Sequence, residues 1–225
     1  MSAYADLEGR LEQVRAEIRR AGGTDAVRIV AVTKTHPVAA VHAGVSAGLV
    51  EFAENYADEL VPKAEQVLDQ GLDVRWHYIG AIQRRRLRHI CRYVSVIETV
   101  SREVELESLS DLGYEGELLV QVAPSGHPTG RNGADAEQVS VLVARGWELG
   151  LNVVGLMGMA LPGSLQSTAD YFAQVRRLGE DLHLREYSMG MSGDYQVGVA
   201  QGATMVRLGS ALFGVRGDAR ATKEQ

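Results

Sequence analysis

Short apolar runs alternate with longer helical patterns eight times along this 225-residue chain, and few architectures accept that rhythm. The strand-like runs fall at residues 28–33, 49–53, 74–79, 94–98, 117–122, 151–156, 185–188 and 204–208. Several are near-continuous in Val, Ile and Leu, as a parallel strand covered on both faces must be. The run at 185–188 carries the thinnest pattern. Helical patterns follow at 38–47, 54–70, 84–93, 102–112, 135–149, 164–182 and 194–202, and one more, 4–21, precedes the first strand. In that leading helix Leu7, Leu11, Val14 and Ile18 form one apolar stripe, and Gly22-Gly23 ends it. The series predicts an α/β fold: a single (β/α)8 TIM-type barrel with an extra N-terminal helix, residues 1–225 forming one domain. The competing arrangement is an open doubly wound sheet. The GxGxxG fingerprint that would favour it does not follow the first strand.

Composition narrows the function classes. Hydrophobic residues at 45% and charged residues at 23% give a core-forming chain rather than a disordered one. No apolar run reaches the roughly 18 residues of a membrane span. The first twenty residues carry charges throughout, unlike a secretory signal. A net charge of −6 argues against nucleic-acid binding, which rests on phosphate neutralisation. One cysteine, Cys91, supports neither an internal disulfide nor a cysteine zinc site, so no metal and a reduced, cytoplasmic setting are expected. Arginine occurs 20 times and lysine three times, at Lys34, Lys63 and Lys223. Where charge alone is wanted this chain uses arginine, so a lysine in an unusual place is a candidate for amine chemistry.

In a barrel, chemistry gathers at the C-terminal ends of the strands. The first strand ends at Thr33-Lys34-Thr35-His36-Pro37. Partial desolvation at the barrel mouth would disfavour an ammonium there and favour a nucleophilic amine able to form a Schiff base with an aldehyde. The plainer alternative is a lysine snorkelling to solvent. The second strand runs into Asn55 and Tyr56, and Asn55 reads equally as a ligand contact or a helix N-cap. The third gives His77 between Trp76 and Tyr78, as a cofactor-orienting or a core histidine. The arginines at 84–88 open a helix, as an anion site or a solvated face. The last two strands lead into Ser188-Met189-Gly190-Met191-Ser192 and Arg207-Leu208-Gly209-Ser210. Small residues and hydroxyls in both loops read as a phosphate cradle or as ordinary turn chemistry. In a closed barrel strand 8 pairs with strand 1, so a phosphate-bearing aldehyde would bridge the cradle and Lys34.

The segments IVAVTKTHP (29–37), FAENYADEL (52–60), WHYIGAIQ (76–83), VGLMGM (154–159) and YSMGMSGDYQVGVAQGATMVRLGSALFG (187–214) resemble the pyridoxal phosphate homeostasis (YggS/PROSC) family, itself related in fold to the N-terminal barrel of alanine racemase. The likeness runs from about residue 7 to 216. It implies pyridoxal 5'-phosphate as cofactor, held as a Schiff base on Lys34 with Asn55 beside the pyridine ring. It implies that Ser188, Met189, Gly190, Ser192, Gly209 and Ser210 hold the phosphate. It places Arg207 at the pyridine nitrogen, where an arginine keeps its proton and leaves the ring a weaker electron sink. His77 and Tyr56 are secondary candidates. The chain departs from the family at Ala53, where many members have Gly, and at His36, where they have Lys. Arg84-Arg85-Arg86 replaces Ser-Asn-Lys, and His127 and Arg131 replace Glu and Lys. These changes bear on any second cofactor site built on those lysines and leave the main set intact.

Two functions from different classes follow: a carrier in intracellular cofactor homeostasis, with apo-enzymes as recipients, or an amino-acid racemase or related lyase. Racemisation needs acid–base groups on both faces of the bound substrate. Lys34 serves one; Tyr56, His77 and Tyr195 are the candidates for the other. Alanine racemase takes its second base from a further domain, for which this chain leaves no room. The expectation is therefore a monomeric binder with no confirmed catalytic residue.

Overall fold

The computed structural model describes residues 4–124 and 133–214. Eight parallel strands close into a barrel in sequence order: β1 (Arg28–Val32), β2 (Glu51–Glu54), β3 (Arg75–Tyr78), β4 (Val94–Val100), β5 (Glu117–Val122), β6 (Asn152–Gly158), β7 (Glu186–Met191) and β8 (Met205–Leu208). Helix α1 (Leu7–Arg20) precedes β1. Helices α2 (Val38–Ser46), α3 (Ala57–Asp69), α4 (Arg84–Ile90), α5 (Glu103–Asp111), α6 (Ala136–Glu148), α7 (Leu165–Asp181), α8 (Tyr195–Ala200) and α9 (Ser210–Phe213) follow the strands in turn. The expected TIM-type barrel with an extra N-terminal helix is what forms.

The strand pleat sorts the residues. On β1 Val30 and Val32 point into the barrel while Ala31 joins the layer beneath the helices. On β3 Trp76 and Tyr78 face that outer layer, and His77 is sealed inside. Val30, Val32, Ala53, Val96, Leu119, Val154, Met157 and Met205 fill the apolar part of the interior. At the lower end Arg28 binds Glu51 at 3.1 Å and Glu186 at 2.5 Å, and Arg75 binds Glu117 at 2.6 Å, so ion pairs close the floor. Helix α1 buries its Leu7, Leu11, Val14 and Ile18 stripe, as its spacing predicts.

The boundaries differ from the sequence reading where tertiary pairing extends a strand. β7 continues through Met191 and β4 through Val100, because both pair with neighbours beyond the apolar run. Each carries a register shift, between Ile97 and Val100 and between Ser188 and Met191, the kind of bulge that re-aims side chains at a barrel rim. Glu54 belongs to β2 rather than to the following helix. Its carboxylate is buried, and its carbonyl accepts the Ile79 N–H at 3.0 Å. The turn α9 has no counterpart in the sequence reading.

Gly80 sits where the loop after β3 meets the loop after β2. A Cβ there would lie 1.9 Å from the Asn55 carbonyl oxygen and 2.8 Å from the Tyr78 hydroxyl. Gly80→Ala is expected to cost about 1–3 kcal/mol, as overpacking against unyielding atoms does. A lowered urea midpoint with unchanged slope checks this.

Candidate functional site

Because β1 pairs with β8, in register at Val30 and Arg207, the end of β1 and the loop after β8 form one wall. A pocket of about 450 Å³ opens there. Lys34, His36 and Val32 line it from the β1 side; Met191, Ser192, Gly193, Arg207, Gly209 and Ser210 line it from the β7 and β8 sides. Lys34 is half-buried in the turn after β1. The Ser192 hydroxyl accepts the N–H groups of Gly209 at 3.2 Å and Ala211 at 3.1 Å, which ties the two loops together. Asp194 accepts the Met191 N–H at 2.6 Å and fixes the turn into α8. A Cβ on Gly193 would meet nothing within 4 Å, so its backbone is open to the pocket.

Arg207 is nearly buried and held on three sides. Its guanidinium donates to the Ser188 carbonyl at 2.8 Å, the Ser188 hydroxyl at 2.6 Å and the Gly158 carbonyl at 2.9 Å. Ser188 in turn donates to Glu98 at 2.6 Å, and His77 Nδ1 meets the other Glu98 oxygen at 2.7 Å. Glu98 lies 3.9 Å from the guanidinium. Burial pulls the Arg207 guanidinium below its ordinary value, opposed by the Glu98 charge. Burial pushes the Glu98 carboxyl up, but the His77 and Ser188 hydrogen bonds and the Arg207 charge outweigh it, and it is held below its ordinary value. His77 Nε2 reaches to 3.8 Å from Glu51 and so links this cluster to the floor of the barrel.

The structure brings together five of the expected site residues: Lys34, Ser192, Arg207, Gly209 and Ser210. Ser188 and Met189 lie elsewhere. The Ser188 side chain is fully buried on Glu98 and Arg207, and Met189 packs in the outer core. Gly190 has φ +96°, and the space a Cβ would take is occupied by Tyr195 Cα at 2.6 Å, so close packing of α8 demands glycine there. Asn55 is half-buried in the loop after β2, against Gly80, and Tyr56 is 51% exposed. Tyr195 is buried against α1 and donates to Glu17; burial and then that contact push its hydroxyl up to about 12. Arg86 pairs with Asp58 and Arg84 with Ser108, so those two arginines serve the surface between helices. His127 and Arg131 lie outside the described residues. Glu98 escaped the sequence reading, and His36 entered it only as a departure from the family. A lone acid in the apolar run VSVIETV was the available signal for Glu98.

The family model for the N-terminal domain of alanine racemase matches residues 6–217. The chain belongs to this family. It is 35% identical to a pyridoxal phosphate homeostasis protein of Deinococcus radiodurans, over 95% of this chain and 100% of that one. It is 34% identical to a protein of the same name from Pseudomonas aeruginosa, over 96% and 97%. Among solved structures, PipY of Synechococcus elongatus with PLP bound superposes with a TM-score of 0.82 at 29% identity, covering 92% of this chain and 100% of PipY. Within the alanine racemase N-terminal domain family, then, the chain groups with pyridoxal phosphate homeostasis proteins. The Lys34 pocket sits at the end of the barrel where this fold does its chemistry.

A carboxylate with a depressed folded-state value contributes stability above its ordinary pH range and loses it as pH falls through the folded value. The Glu98→Gln variant should therefore lose about 3 kcal/mol or more at neutral pH, because Arg207 keeps a buried charge without its counter-ion. The gap should shrink as pH falls below the ordinary carboxyl value of 4.5. Urea midpoints of both proteins between neutral and acid pH read this directly.

Proposed function

We propose that this protein binds pyridoxal 5'-phosphate and acts in intracellular homeostasis of that cofactor, holding it as a Schiff base on Lys34 with little or no turnover. The observation that carries the reading is the convergence of one amine, two serine hydroxyls, open glycine backbone and a fixed guanidinium on a single pocket. That donor set fits a phosphorylated aldehyde with a basic ring nitrogen. When bound, the cofactor supplies the aldehyde that condenses with the lysine amine, releasing water.

The remaining chemistry belongs to the chain. Ser192 and Ser210 offer hydroxyls, and Gly193 offers backbone, to the phosphate, while the Gly209 N–H is held by Ser192 and shapes the loop that carries Ser210. Gly190 supports this cradle through its packing on α8, and Ser188 and Met189 through the strand that carries it. Asn55 sits in the loop after β2, against Gly80 and outside the pocket lining. Arg207 is held by Ser188 and Gly158 before any ligand arrives, so the group facing the ring nitrogen is preorganised. An arginine in that place donates a hydrogen bond and keeps its proton.

The positions of the candidate opposing bases favour holding over catalysis. His77 is sealed in the barrel, Tyr195 is bound to Glu17, and Tyr56 stands on the surface. The imidazole in the described lining, His36, comes from the same turn as Lys34 and packs on Tyr4 and Phe213. The described residues contain no helix long and apolar enough to cross a membrane. A cytoplasmic single-domain monomer that passes its cofactor to apo-enzymes completes the proposal.

Incubation with pyridoxal phosphate is expected to give a visible absorption band. Borohydride reduction should then fix the cofactor's mass on the peptide carrying Lys34. Lys34→Ala should show neither. D- and L-alanine in deuterated water should exchange no Cα proton. Rapid exchange would make the protein an enzyme, and a wild type that takes up no cofactor would sink the reading.

A further inference from the structure

Lys63 is one of three lysines in an arginine-rich chain, and it is buried on α3. Its ammonium donates to the Thr33 carbonyl at 2.8 Å, to Glu54 at 2.7 Å and to Glu59 at 3.3 Å. An ammonium has three protons, and all three have acceptors here. Lys63 is thus no second carrier of an aldehyde. Its partners show what it serves instead.

Thr33 and Thr35 flank Lys34. The Thr33 carbonyl is held by Lys63 and by the His36 N–H at 3.0 Å, and its hydroxyl donates to Glu54 at 2.7 Å. On the other side the Thr35 N–H donates to the same Glu59 oxygen that Lys63 binds, at 2.5 Å. The peptide groups before and after Lys34 are therefore pinned to one ion pair on α3. Thr35 has φ +64°, a left-handed conformation that costs a β-branched residue about 1–3 kcal/mol and persists only where the surroundings impose it. Its N–H is held by Glu59, which Lys63 holds in turn.

We propose that Lys63 and Glu59 are positioning residues for Lys34: from the helix after β2 they lock the strained turn after β1 and so aim the Lys34 amine into the pocket. Neither residue lines that pocket. Burial raises the Glu54 carboxyl above its ordinary range even with Lys63 and Thr33 donating to it, so this end of the network is under electrostatic strain as well. The inference rests on the reading of Lys34 as the reactive amine.

The test uses the whole protein and two readouts. The first is the acylation rate of Lys34 by acetic anhydride in cofactor-free protein, read by peptide mass spectrometry against α-amine controls. The second is the rate of pyridoxal phosphate uptake. Lys63→Met and Glu59→Ala should each slow uptake about tenfold and change Lys34 acylation, as displacement of a reacting group does. Glu59→Gln keeps an oxygen for the Thr35 N–H and should recover most of the uptake rate. Glu59 is 29% exposed, so its variants test the idea even where Lys63→Met fails to fold. A fall in melting temperature with both Lys34 readouts at wild-type values in Glu59→Ala would reduce the pair to a structural role and overturn the proposal. A wild type that takes up no cofactor would overturn the Lys34 reading instead, and the acylation rates would still judge the pair.

Discussion

Closure of the sheet through the β1–β8 pair is the constraint on which everything else hangs. It sets residues about 180 positions apart side by side, in register from Arg28 with Met205 to Ala31 with Leu208. An open sheet would leave Lys34 at one edge and Ser192, Arg207 and Ser210 at the other. Closed, the same backbone hydrogen bonds that remove two exposed edges also build the pocket. The glycine-rich loops after β7 and β8 then need only short links, such as Ser192 accepting from Gly209 and Ala211, to hold their shape.

The barrel interior is unusual in carrying charge. A polar column runs from the Arg28–Glu51 pair through His77 and Glu98 to Arg207. Burying such groups costs free energy that apolar side chains of the same volume would not. The column is tolerable because each charge has partners: Glu98 receives three neighbours, and Arg207 donates to Ser188 and Gly158. What it gains is a guanidinium fixed in orientation at the pocket floor. Fixed donors need no reorganisation when a ligand arrives. Stability is lowered at the point where binding is prepared.

On the neighbouring strand the same logic acts on the backbone. The turn after β1 holds a β-branched residue at positive φ. It stays there because α3 presents a cation to the carbonyl before Lys34 and an anion to the N–H after it. Arg207 and the turn carrying Lys34 thus line the same pocket from paired strands, each held by groups outside its lining.

The architecture could be read from the chain because a parallel strand covered on both faces leaves a continuous apolar run, and its crossover helix leaves a 3.6-residue stripe. Lys34, Ser192, Gly209 and Ser210 could be placed at the barrel mouth for a related reason: they follow such runs, where a barrel exposes its strand ends, whereas Arg207 lies within β8 and was singled out only by the family resemblance. Strand ends fade into loops in sequence, so the last residues of β4 and β7 and the turn α9 were not legible. Neither was the direction of a side chain within a strand end. The pleat sends Ser188 inward to Glu98 and Met189 outward to the helices, and a bulge decides where that alternation breaks. Glu98 left only the trace of a lone acid in an apolar run, and the partnership of Lys63 and Glu59 with the turn after β1 left no local signature. Periodicity records which face of an element is buried, since burial is a property of each residue and its near neighbours. Partnership between a helix carboxylate and a peptide group 24 residues away is set only when the closed barrel fixes their distance.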